Sequence, residues 1–71
     1  MMADDLEVKF LEQDENVLFR QGWRRTGASA IERRTAESAA RVIAKNVQTV
    51  GVRRSTIAET AVWQIWVQDA L

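Results

Sequence analysis

The chain contains no cysteine, histidine, proline or tyrosine, and only three glycines among its 71 residues. Without cysteine there is no disulfide, and without cysteine or histidine a zinc site lacks its usual ligands. The same two absences remove the nucleophile and base pairs of Ser/His/Asp and Cys/His enzymes. No GxxxxGK phosphate loop and no GxGxxG turn occurs. With no proline, no low-complexity tract and no internal repeat, no linker is marked. No apolar run approaches the roughly 18 residues of a membrane span, and the N-terminus lacks a basic segment leading into an apolar one. These absences predict a soluble, cytoplasmic, non-enzymatic protein without metal or cofactor.

What the chain does contain is apolar material, at 46% of residues. A domain this small buries only about 60% of the surface its unfolded chain exposes. Disulfides, a metal or oligomerisation are the usual aids, so a homodimer sharing one core is expected.

Formal net charge is zero, but the charges are unevenly placed. Residues 1–16 carry Asp4, Asp5, Glu7, Glu12, Asp14 and Glu15 against Lys9, a balance of −5. Residues 17–54 carry nine cations, eight of them arginines, against Glu32 and Glu37, a balance of +7. Such a basic middle section is either a footprint for a polyanion or simply a solvated face. The carboxylates of the first sixteen residues read as a solvated end in preference to a magnesium site.

Period-two apolar positions at Leu6, Val8 and Phe10, then at Val17, Phe19 and Trp23, suggest two strands joined at Asp14–Asn16. Between Ala36 and Val50 the apolar residues Ala36, Ala39, Ala40, Ile43, Val47 and Val50 fall three and four apart, predicting an amphipathic helix that starts near Thr35. Gly51 suits the C′ position of that helix. A second helix is expected from Ser55 or Thr56, with Glu59 at the capping-box distance from Thr56. Its apolar residues Ile57, Ala58, Ala61, Val62 and Ile65, widened by Trp63, Trp66, Val67 and Leu71, exceed one face and call for a partner molecule.

Laid out as strand, helix, Gly turn and helix, residues 36–67 resemble the ribbon-helix-helix proteins of the MetJ/Arc superfamily of DNA-binding repressors. The resemblance is carried by Ala39, Ala40, Ile43 and Val47, by Gly51, and by Ser55, Thr56, Ile57, Ala58, Ala61, Val62 and Ile65. It implies an α+β, mostly helical, intertwined homodimer over residues 17–71, preceded by an acidic N-terminal extension at 1–16 that adds a strand or hairpin. The dimer core would comprise Ile43, Val47, Ile57, Ala61, Val62, Ile65 and Trp66. An antiparallel ribbon would enter the major groove of double-stranded DNA. Two segments compete for that ribbon, 17–25 and 29–35, and composition favours the first. Arg20 and Arg24 would then read bases. Arg53, Arg54 and Ser55 at the second helix, with Arg25, Arg33 and Arg34, would meet phosphates.

The function implied is a sequence-specific repressor of its own operon. A second reading, from a different class, is a protein-binding module such as an antitoxin or a small phage or plasmid inhibitor, which would present the acidic N-terminus to its partner.

Overall fold

The segments TVGVRRSTI and TAVWQIWVQ are rich in Val, Ile, Thr and Trp, side chains that fit a pleated surface and lose rotamer freedom in a helix. In the computed structural model, which describes residues 6–44 and 49–69, they form an antiparallel hairpin instead of a helix end and a second helix. The elements in chain order are β1 (Val8–Leu11), α1 (Glu15–Arg20), β2 (Trp23–Ala30), α2 (Arg33–Ile43), β3 (Thr49–Ile57) and β4 (Thr60–Gln68). The four strands make one mixed sheet in the order β1-β3-β4-β2. β1 runs parallel to β3, while β4 is antiparallel to both of its neighbours.

This architecture overturns the mostly helical ribbon-helix-helix expectation. The apolar positions at 57–71 exceeded one helical face because β4 is a central strand, buried on both sides by its own chain. Ile65 and Val67 face one way and Trp66 the other, and all three are buried. A continuous apolar run of this kind cannot be told from a buried helix by periodicity. The hairpin turn is Ala58–Glu59, with φ of 49° and 68°. Both residues thus occupy the left-handed region that a two-residue type I′ connection requires. Neither is Asn or Gly, so the usual turn signal is absent.

Each face of the sheet carries one helix. α2 lays Ala36, Ala40 and Ala44 against Val50, Val52, Ile65 and Val67. The short α1 covers the opposite face at one end, where Leu18 packs with Leu11, Trp23 and Trp66. The expected helix over 35–50 is present as α2, displaced: it starts at Arg33 and ends at Ile43, with Ala44 as C-cap. Gly51 closes no helix and lies within β3.

The expected strand over Val17–Trp23 is largely α1. Asp14 caps its start, the carboxylate accepting from the Asn16 amide at 2.6 Å, which satisfies one of the free donors of the first turn. Gly22, with φ of 90°, leads out of it at low cost. The N-terminal segment does supply an added strand, β1, at the edge of the common sheet.

Of the residues assigned to a dimer core, Val62, Ile65 and Trp66 are buried within this single chain. Ala61 is half-buried, whereas Ile43 and Ile57 are 40% and 53% exposed. Val47 lies outside the described residues. Part of the apolar surface that prompted the intertwined dimer, Val62, Ile65, Trp66 and Val67, is thus buried within one chain, while Ile57 stays exposed. Among the described residues, no helix is long and apolar enough to cross a membrane.

Candidate functional site

Side chains alternate along a strand, and this divides the arginines between the two faces of the sheet. Arg53 and Arg54, read together as one phosphate anchor, point to opposite sides: Arg53 lies opposite Gln64, and Arg54 opposite Trp63. Ser55 follows on the side of Arg53, half-buried, within a strand and not at a helix start. Arg24 and Arg25 are divided in the same way. Arg24 donates through Nη2 to both oxygens of Asp69 at 2.8 and 3.0 Å. Arg25 donates through Nη1 to Glu15 at 3.1 and 3.3 Å. Arg20 sits in the last turn of α1, where a cation complements the helix dipole. The structure therefore does not bring Arg20 and Arg24 together on a ribbon.

A cation and aromatic cluster forms on the α2 side. The Arg33 guanidinium carbon lies 4.7 Å from the ring centroid of Phe10 and 5.4 Å from that of Trp63. The two rings are 5.9 Å apart and tilted by 51°. Arg33 also donates through Nε to Glu37 one turn along α2, at 3.2 Å. Arg54 extends the cluster along β3, and Arg34 adjoins Arg33 in the first turn of α2. Two arginines and no acid in a first turn oppose the helix dipole. Of the two, only Arg33 has an i,i+4 partner in the helix, Glu37.

The α1 side carries a polar network instead. Glu15 lies between Arg25 and Arg53, at 3.1 Å from one and 3.6 Å from the other. Arg53 also donates through Nε to the Gln13 carbonyl at 2.8 Å, fastening the β1–α1 connection to β3. Gln64, the one buried polar side chain among the described residues, accepts at Oε1 from the Trp66 indole at 3.2 Å and from Arg53 at 3.4 Å. Among the described residues no group of three acidic side chains is placed to hold a metal ion.

Phe10, Trp63 and Gln64 were not among the residues expected to form a site, and Glu15 was expected only as part of an acidic surface for a protein partner. A glutamine set between apolar neighbours in VWQIWV was the signal for Gln64, since a polar group in a buried strand requires partners. The pairing of Phe10 with Trp63 depends on strand order and had no local signal. No protein-family model matches the chain, and neither a curated protein nor a solved structure matches it.

Proposed function

We propose that the protein is a non-catalytic nucleic-acid-binding domain whose binding surface is the cluster of Arg33, Phe10 and Trp63, extended by Arg34 and Arg54. The observation that carries this reading is the Arg33 guanidinium held over two aromatic rings while Phe10 stays 46% exposed. Exposed aromatic faces accept bases by stacking, and neighbouring guanidinium groups take the phosphates. Arg34 and Arg54 are exposed, and Glu37 offsets one of the three charges. Duplex DNA meets this surface through its phosphates, and single strands gain base stacking as well. Sequence-specific repression through a major-groove ribbon is not part of the proposal, because the ribbon is absent from the fold.

The experiment is an anisotropy titration of labelled single-stranded and double-stranded oligonucleotides at two salt concentrations. Arg34→Ala or Arg54→Ala should weaken both substrates and flatten the dependence of log K on log salt by about one unit for each phosphate no longer engaged. Phe10→Ala should cost about 1–3 kcal/mol on the single strand and little on the duplex. Arg24→Ala, on an arginine already paired with Asp69, is the control. Wild-type protein that ignores both substrates at low salt would dismiss the reading.

One observation favours a protein-binding module instead. Glu7, Glu12 and Asp14 are exposed just before and just after the edge strand β1, outnumbering Lys9 within it, so a basic partner segment would find charge complementarity there. Loss of nucleic-acid binding together with capture of a basic peptide by this edge would select it.

A further inference from the structure

The face of the sheet turned away from α2 is only partly covered, because α1 has six residues and shields just the Leu11, Trp23 and Trp66 end. Beyond it lies a half-open cavity of about 180 Å³ lined by Arg25, Gly27, Ala28, Ser29, Ile57 and Gln64. Its existence follows from β2. Between Arg25 and Ser29 the strand advances four residues while β4 advances two, from Trp66 to Gln64. The bulge is pinned by the Thr26 hydroxyl, which donates to the Ile65 carbonyl at 2.9 Å and accepts from the Ala28 amide at 3.1 Å. Gly27 takes φ of 89° there, and a β-carbon at that position would meet nothing within 4 Å. Small side chains and a bulged backbone thus leave a hollow beside the centre of the sheet.

Gln64 gives the hollow its chemistry. Its side chain is 6% exposed, and both hydrogen bonds it makes are accepted at Oε1, from Trp66 and Arg53. Two donors on one atom fix the orientation of the amide, which directs the two Nε2 hydrogens elsewhere. Nε2 has no partner among the described residues, yet no fully enclosed side-chain nitrogen or oxygen among them is unsatisfied. The amide nitrogen therefore opens onto the cavity. Among the described residues Arg25 is bound through Nη1 alone, to Glu15, and its Nε and Nη2 donors have no partner there. Arg25 at the cavity and Arg53, bonded to Gln64, set two positive charges against the Glu15 carboxylate between them. Ile57 supplies an apolar wall.

We propose that this cavity binds a small carboxylate, with the Gln64 amide, the Ser29 hydroxyl and Arg25 donating to its oxygens and a short alkyl group resting on Ile57. Drug-sized ligands occupy roughly 300–1,000 Å³, so this site suits an acid of a few carbons or the terminal residue of a peptide. The site is independent of the nucleic-acid reading, because it lies on the opposite face of the sheet and shares no residue with the Arg33 cluster.

The test is a titration of the isotope-labelled full chain by NMR, following the Gln64 side-chain amide and the Trp66 indole N–H that bonds to it. The probes are sodium propionate and N-acetylalanine, with sodium chloride and propylammonium chloride as controls. Saturable shifts at both groups with a carboxylate, and none that saturate with either control, are expected. Gln64→Glu keeps an acceptor for Arg53 and Trp66 but replaces the donor with a carboxylate, and should weaken binding at least tenfold. Ser29→Leu, which fills the hollow, should do the same should the first variant fold poorly. Tighter binding of N-acetylalanine assigns the source to a peptide C-terminus, and tighter or equal binding of propionate to a free acid. Shifts that stay linear, a chloride response equal to that of propionate, or undiminished binding by a folded variant would overturn the proposal.

Discussion

The side chain of Leu11 occupies the space that a β-carbon on Gly51 would fill. An ideal Cβ at Gly51 would lie 2.7 Å from Leu11 Cγ, 2.8 Å from Leu11 Cδ1 and 3.0 Å from the Lys9 carbonyl oxygen. Leu11 cannot swing aside, since it is buried among Leu18, Trp23 and Trp66. Gly51→Ala should therefore destabilise the protein by about 1–3 kcal/mol through overpacking. In a Leu11→Ala background the same change should cost much less, and urea unfolding of the four proteins measures this coupling.

The hairpin turn offers a change in the other direction. Ala58 and Glu59 both hold positive φ, which costs residues with a β-carbon on the order of 1 kcal/mol each. Replacing the pair by Asn-Gly relieves that strain in the connection that favours it. A rise in Tm of about 4–8 °C per kcal/mol gained is expected for a domain of this size.

Both core clusters close within one chain. Folding therefore needs no partner, and Tm should stay constant across a hundredfold range of protein concentration. A Tm that climbs with concentration would show that association and folding are linked and would restore the homodimer expected from composition.

Legibility varied with the kind of signal each element carried. α2 was readable because alanines at helical spacing mark a helix whatever it packs on, and its predicted span reached into β3 because Val50 coincides with that spacing. β1 was readable from alternation. β3 and β4 were not, because a strand buried on both faces shows no alternation and their turn lacks Asn or Gly. α1 was misread since Val17 and Phe19 sit two apart by chance of a one-and-a-half-turn helix, and Asp14–Asn16 was read as a connection between strands where Asp14 in fact caps the helix. The charge asymmetry of the middle section was plain, yet which arginines share a face depended on the strand assignment, and with it the candidate sites.

Burial separates two neighbouring aromatics. Trp66 is fully enclosed, while Phe19, packed against it at a centroid distance of 5.2 Å with the rings tilted by 53°, is 47% exposed. Trp66→Ala should cost about 3–5 kcal/mol, the range for a core aromatic. Phe19→Ala should cost well under half of that, as chemical denaturation of both variants will show.

The parallel pairing of β1 with β3, Val8 beside Val50 and Leu11 beside Arg53, joins stretches about forty residues apart, whereas β3 and β4 meet across a turn of two. Closing the longer loop costs more chain entropy and comes later. The hairpin and α2 are thus the natural nucleus, and β1 is the last strand to arrive and the first to leave. Amides of β1 should exchange with solvent by a partial opening that spares β4. That opening would also release the Gln13 carbonyl from Arg53 and the Leu6 carbonyl from Arg41, so one strand's departure takes a backbone acceptor from a cation on each side of the molecule.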